Sequence, residues 1–478
     1  MKENTLAQFG IIGLGVMGSN IALNVENKGF SVSVYNYTED LTNIFMNKYS
    51  EKNFIFTSSL QEFVNSLEKP RKILLMIKAG KPTDDTIDRL IPFLDKDDIV
   101  IDGGNTNFKD TIKRNNKLKN SKINFIGMGV SGGEYGALHG PSLMPGGPKN
   151  AVDNIMPILK KIAAKAKDNV PCVSYIGPNG AGHYVKMIHN GIEYGDEELI
   201  CESFNILQHI NGLNTKDIAN IFSSWNQGEL NSYLIEITAQ ILTKHDDLGD
   251  SKTPIVDVIL DKANNKGTGK WSSENALDIE APQSVITESV FARYISMLKD
   301  DRIKASKLIS KEKQQKVQLK EKESFIESLR KALFFSKIIS YAQGFNQMQT
   351  ASQKYDWHLN LGQLAQIWRS GCIIRAQFLQ KITDAFNKDK DLNNLLFDDY
   401  FLQITKNYNQ AVRDIIIFAI QNEIPVPAFS AAISYYDSFK SEKLPANLLQ
   451  AQRDLFGAHT FERTDRPGHF HYQWGNND

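Results

Sequence analysis

Residues 1–180 alternate short apolar runs with longer amphipathic stretches. The runs at 9–12, 31–35, 72–77, 98–102, 123–126 and 172–176 are apolar and β-prone, and the segments between them have helical length. This rhythm predicts an α/β fold, a doubly wound parallel sheet with helices on its faces. After residue 182 the texture changes, and the stretches 181–211, 289–309 and 325–355 repeat apolar residues at helical spacing. A large all-α region should follow the sheet. From residue 444 onward Gly, His, Arg and aromatic residues prevail without periodicity, which predicts a tail that packs on something else. The charged stretch 311–322 reads as a solvated helix face or loop.

Composition narrows the possibilities. A chain of 478 residues exceeds what one core organises, so two or more domains are expected. Basic and acidic residues balance at 55 each, so no global field draws nucleic acid or an anionic membrane, and an anionic ligand must be held by a local cluster. Cys172, Cys201 and Cys372 are too few and too far apart for a disulfide framework or a zinc site. The polar stretch Met1 to Phe9 lacks the apolar core of a signal peptide, and runs such as 73–77 cannot span a bilayer. A reduced, cytoplasmic setting is the expectation.

Two segments carry chemistry. Gly13, Gly15 and Gly18, with Leu14, Val16 and Met17 between them, form a G-x-G-x-x-G pattern directly after the first apolar run and ahead of a helical segment at 20–27. That context suits dinucleotide binding: a tight turn at Gly13, close approach of a pyrophosphate at Gly15, and helix-to-sheet packing at Gly18. Asn36, Tyr37 and Thr38 follow the second run, where an acid would bind a ribose hydroxyl and an arginine a 2′-phosphate, and none of the three is either. The stretch Lys266-Gly267-Thr268-Gly269-Lys270 resembles part of a nucleotide-triphosphate loop, but Trp271 stands where Ser or Thr is required.

The second segment is GHYVKMIHNGIEY. In a helix, Lys186, His189, Asn190 and Glu193 fall at i, i+3, i+4 and i+7 on one face, while Val185, Ile188 and Ile192 take another, towards the core. The stripe alone fits a solvated face as well as a site. The glycines Gly180, Gly182 and Gly191 argue for a ligand close to the backbone. Two polar turns, Asp102 to Asn105 and Ser131 to Glu134, end expected strands, where open α/β sheets bind ligands.

Together with IDGGN, GVSGGE, GPSLMPGG, KGTGKW, FAR and the closing LPANLLQAQRDLFGAHTFER, these segments resemble the 6-phosphogluconate dehydrogenase family in order and over essentially the whole chain. The resemblance implies a Rossmann-like dinucleotide-binding domain at 1–180, a helical substrate and dimerisation domain at 181–440, and a tail at 441–478 that reaches the partner of a homodimer. It implies oxidative decarboxylation of 6-phosphogluconate to ribulose 5-phosphate with NADP, in the pentose phosphate route or gluconate use, without a metal. Lys186 would act as general base and Glu193 as the acid that protonates C1. Asn105, Ser131, Gly132, Gly133, His189 and Asn190 would hold the sugar acid, and Tyr194, Lys266, Thr268, Arg293 and, across the dimer, Arg453 and His459 its phosphate. Gly13, Leu14, Gly15, Val16, Met17, Gly18, Asn36, Tyr37, Thr38, Ile77, Lys78, Ala79 and Asn105 would line the cofactor. Many relatives carry Arg where Tyr37 stands, which leaves NAD open as cofactor. The alternatives are a related β-hydroxyacid dehydrogenase acting on an unphosphorylated acid, an NAD-preferring variant, or a silent dinucleotide sensor that keeps the fold.

Overall fold

A computed structural model describes residues 6–309, 316–318 and 320–475, so much of the charged stretch 311–322 lies outside the described residues. The strands are β1 (Phe9–Ile12), β2 (Val32–Tyr35), β3 (Phe54–Phe56), β4 (Lys72–Leu75), β5 (Ile99–Asp102), β6 (Asn124–Ser131) and β7 (Ser142–Gly146). They form one sheet in the order β3-β2-β1-β4-β5-β6-β7. The first six run parallel, and helices cover them on both faces, which is why β1 and β5 are buried at every position.

Two expectations need correction. The sheet is not wholly parallel, because β7 returns antiparallel to β6. The run 172–176 is not a strand. It lies beside β7 with isolated bridges, Leu143 to Val173 and Gly146 to Gly177. The N–H of Leu143 donates to the carbonyl of Cys172 at 2.9 Å, but Pro145 has no N–H with which to continue the ladder. The true last strand, SLMPG, holds Ser, Pro and Gly, and β3 has only three half-buried residues, so neither carried a strand signal.

The remainder is helical. The helix Ala181–Gln208 carries the polar stripe, and the helix Lys322–Lys354 packs along it at the centre of a large apolar core. The expected helix 289–309 is two, Ser284–Met297 and Lys299–Ile309, broken at Leu298. No described helix is long and apolar enough to cross a membrane.

The tail forms a helix, Ala446–Gly457, and a hairpin of β8 (Phe461–Glu462) and β9 (His469–Phe470). A carboxylate organises it: Asp454 accepts from the N–H groups of Thr460 and Tyr472 at 3.0 Å each and from Trp474 Nε1 at 2.8 Å, and pairs with His471 Nδ1 at 2.9 Å. Leu448, Leu449, Leu455 and Phe456 stay exposed, so the tail has apolar area that this chain does not cover.

The two halves meet backbone to backbone. A Cβ on Gly182 would lie 2.3 Å from the carbonyl oxygen of Gly127, one on Gly129 2.5 Å from the Lys186 Cβ, and one on Gly146 2.4 Å from the Gly182 nitrogen. Overpacking of this kind costs about 1–3 kcal/mol. Gly129→Ala should therefore lower the thermal unfolding midpoint and displace Lys186, with loss of turnover. An unchanged midpoint with full turnover would contradict the close approach.

Candidate active site

The C-terminal ends of β2, β1, β4 and β5 lie side by side, and each opens into one of the expected cofactor segments: Asn36 to Thr38, Gly13 to Gly18, Ile77 to Ala79, and Asn105. The strand order reverses between β1 and β4, where open α/β sheets form their ligand crevice. Gly13 has φ 102°, and a Cβ there would lie 2.5 Å from the carbonyl oxygen of Met76. Gly18 touches the Gly13 carbonyl, and nothing stands within 4 Å of a Cβ built on Gly15. The helix Val16–Asn27 begins at Gly15 with no side-chain cap and no acidic residue in its first turn, so its free N–H groups face open space suited to a pyrophosphate. The residues thus fit a dinucleotide.

Asn36 has a structural part beside the crevice. Its Oδ1 accepts the Leu14 N–H and its amide donates to the Thr38 carbonyl, both at 3.0 Å, so it braces the loop and retains one amide hydrogen. Tyr37 is exposed, and the Arg89 guanidinium lies 5.4 Å from its ring centroid.

Beside this crevice, a cavity of about 420 Å³ is lined by Met17, Asn105, Ser131, Gly132, Gly133, Lys186, Asn190, Glu193, Tyr194, Lys266, Thr268 and Arg293. Eleven of the fourteen expected catalytic and substrate residues line it, and His189 lies under its floor. Arg453 and His459 do not reach it within this chain. A larger cavity of about 700 Å³ lies elsewhere, and its arginines are paired, Arg369 with Asp168 and Arg375 with Glu236. The smaller cavity is the one that gathers the expected residues.

Local structure sets each group. Buried Asp102 at the end of β5 accepts from the Gly104 N–H at 2.9 Å, Thr106 Oγ1 at 2.7 Å and Arg114 Nη1 at 3.1 Å, which fixes the turn carrying Asn105. The helix Ala181–Gln208 presents Lys186, whose Nζ donates to Asn190 Oδ1 at 2.6 Å and lies 3.3 Å from His189 Nδ1. With Nδ1 assigned as the acceptor, His189 Nε2–H donates to Ser131 Oγ at 3.3 Å. Burial and the neighbouring ammonium keep that imidazole neutral. Burial lowers the Lys186 pKa against the opposing pull of Glu193. Burial raises Glu193 to about 7, with Lys186 opposing and Glu197 adding to the rise. A base and an acid of the ordinary wrong strengths are thus drawn towards neutrality on one helix face.

At the other end of the cavity, Gly267 in the left-handed region starts the helix Thr268–Asp278, whose first residue lines the wall. Arg293 stacks on the Tyr194 ring at 3.5 Å. Lys266, Arg293 and the free helix N-terminus make this end anion-binding.

The flanking glycines were misread. Gly182 meets the backbone of β6 and β7, Gly180 meets the Phe108 carbonyl and Gly191 meets Ser272, so they admit protein rather than ligand. Sequence reasoning also passed over Glu197, Asn264, Asn265 and Ile373, which line the cavity, and Arg89. Glu197 continues the stripe one turn beyond Glu193, and the two asparagines adjoin Lys266, so both were open to discovery. Nothing local marks Ile373 or Arg89.

Comparison with known proteins agrees with this geometry. The NAD binding domain of 6-phosphogluconate dehydrogenase matches residues 8–177, and the C-terminal domain of 6-phosphogluconate dehydrogenase matches 182–474. The decarboxylating 6-phosphogluconate dehydrogenase of Lactococcus lactis subsp. lactis is 60% identical over 99% of both chains. The Bacillus subtilis enzyme named 6-phosphogluconate dehydrogenase, NADP(+)-dependent, decarboxylating, is 58% identical over 98% of this chain and 99% of its own. The Plasmodium falciparum 6-phosphogluconate dehydrogenase, described in apo form, with its cofactor NADP+ and with its substrate 6-phosphogluconate, superposes with a TM-score of 0.94 at 44% identity, covering 98% of this chain and all of that one. Full-length identity, both domains in order, and a buried lysine and glutamate beside a dinucleotide crevice place this chain in the decarboxylating 6-phosphogluconate dehydrogenase family.

Proposed function

We propose that this enzyme oxidises 6-phosphogluconate with NADP and releases carbon dioxide and ribulose 5-phosphate, with residues 1–180 holding the cofactor, 181–440 the substrate and 441–478 reaching a partner subunit. The observation that carries the reading is the single cavity in which Lys186 and Glu193 face an anion-binding end made by Lys266, Thr268 and Arg293. An unphosphorylated acid would have no use for that end.

Lys186, neutral, takes the C3 hydroxyl proton as the C3 hydride departs. The bound nicotinamide supplies the hydride acceptor. The resulting 3-keto acid loses its carboxylate because the ketone accepts the electron pair, and Lys186 returns its proton to the developing oxygen. Glu193, protonated, then delivers a proton to C1 of the enediol. Asn190 and neutral His189 aim the lysine without adding a competing charge, and Asn105, Ser131, Gly132 and Gly133 border the space for the sugar acid.

Lys186→Met should lower kcat roughly 100- to 10,000-fold while cofactor binding, followed by fluorescence, stays intact. The sign of the pH dependence follows from the two shifts: protonation of Lys186 removes the base at low pH, and ionisation of Glu193 removes the acid as pH rises through about 7. The Glu193→Gln residual activity should lack that basic limb. A limb that persists at the same pH would take Glu193 out of the protonation step.

NADP is the cofactor that the site favours. Tyr37 offers no positive charge, but Arg89 stands over its ring and makes no ion pair among the described residues, since nearby Asp85 and Asp88 pair with Lys81 and Lys117. A charged hydrogen bond to a phosphate contributes about 1.5–3 kcal/mol, so Arg89→Gln should lower kcat/KM for NADP about 10-fold or more and leave NAD nearly unchanged. Equal losses with both cofactors would remove Arg89 from the 2′-phosphate. A native preference for NAD would instead point to the uncharged Tyr37 as decisive.

The exposed apolar face of the tail, with Arg453 and His459 away from their own chain's cavity, supports a homodimer with shared sites. Mixing a chain lacking residues 444–478 with an Arg293→Ala chain should restore part of the activity in heterodimers. Heterodimers without restored activity would exclude a shared site.

A further inference from the structure

The anion-binding end of the cavity contains a carboxylate that a phosphate site does not need. Glu197 lines the cavity with Tyr194, Lys266, Thr268 and Arg293, and its Oε2 pairs with Arg293 Nη2. The guanidinium is held on three sides: its plane rests 3.5 Å from the Tyr194 ring centroid, Nη1 donates to the Asn264 carbonyl at 3.4 Å, and Nη2 is engaged by Glu197. Burial pushes the Glu197 carboxyl up while Arg293 opposes the rise.

A phosphate monoester brings close to two negative charges and three acceptor oxygens, and it prefers the same guanidinium fork that Glu197 already engages. A carboxylate and a phosphate on adjacent N–H groups of one arginine repel each other at short range. We propose that Glu197 competes with the substrate phosphate for Arg293, holding the guanidinium until the phosphate displaces it. The inference rests on Arg293 being a phosphate ligand, as argued above.

The consequence is a weaker hold on phosphate alone. Inorganic phosphate gains only the contacts of the phosphate end, and these must be made against the resident carboxylate. The sugar acid adds contacts at the Lys186 end, which offset the displacement. Glu197 therefore weakens every phosphate ligand by a like amount, so that one lacking the rest of the substrate is held only loosely. Both partners of the pair keep some solvent exposure, so the effect is moderate.

The test uses the full-length enzyme with NADP, measuring KM for 6-phosphogluconate and competitive inhibition by inorganic phosphate. Glu197→Gln keeps the shape and removes the charge. It should lower the phosphate inhibition constant roughly 3- to 10-fold and lower KM in the same direction, with the change falling on KM rather than kcat when both are read well below pH 7, where Glu193 stays protonated without the help of the Glu197 charge. Glu197→Asp, whose carboxylate stops one methylene short, should move both constants the same way by less. A raised KM, or constants that do not move, overturns the proposal, because Glu197 would then only orient Arg293 or play no part. Arg293→Ala separates this from the underlying reading: if it leaves KM for 6-phosphogluconate unchanged, the phosphate subsite itself is misplaced.

Discussion

The contact on which the rest depends is the flat approach of the helix Ala181–Gln208 to the end of the sheet. Glycines stand on both sides of it, at Gly127, Gly129 and Gly146 on the strands and at Gly182 on the helix, and the separations leave no room for a Cβ. Because the backbones touch, Lys186 leaves the helix directly beside the end of β6, where Ser131 and the turn Gly132-Gly133 begin. The strand ends at the crevice and the helix that carries Lys186 and Glu193 are thereby packed directly together. Catalytic groups mounted on packed elements hold their positions better than groups on loops.

That approach also sets the chemistry. Pressing the helix against the sheet on one side and the helix Lys322–Lys354 on the other strips water from the polar stripe, and desolvation is the leading cause of the shifts at Lys186, His189 and Glu193. One turn further along, Asp196 pairs with Lys337 at 2.6 Å, fully buried, and Tyr341 donates to Asp196 and to the Ile374 carbonyl at 3.2 and 3.1 Å. The pair locks the site helix to the central helix and to the segment that brings Ile373 into the cavity. Removing either charge would strand the other in a dry interior, so each requires the other.

The tail follows a different logic. It has almost no core, and one buried carboxylate, Asp454, gathers four donors from the helix end, the hairpin and beyond. Such a unit has a defined shape without covering its own apolar residues.

Much of this was legible in the chain itself. Five of the six parallel strands reduce to apolar runs because both sheet faces are buried there, and these five were read as strands from the sequence. The glycine pattern after β1, and the lysine, histidine, asparagine and glutamate at helical spacing, determined where cofactor and chemistry would meet, because period and backbone freedom are local properties. Other features were decided only in three dimensions. Pro145 and the short β3 hid two edge strands, since pairing at an edge depends on the neighbour rather than on the segment. Whether the stripe at Lys186 faced water or the interior turned on what packed over it, and the glycines beside it served contacts with β6 and β7 that lie far away in sequence. Arg89 over Tyr37 and Glu197 on Arg293 belong to the same class: each pairing joins separate elements, and charge is allotted between them only when the fold brings them together.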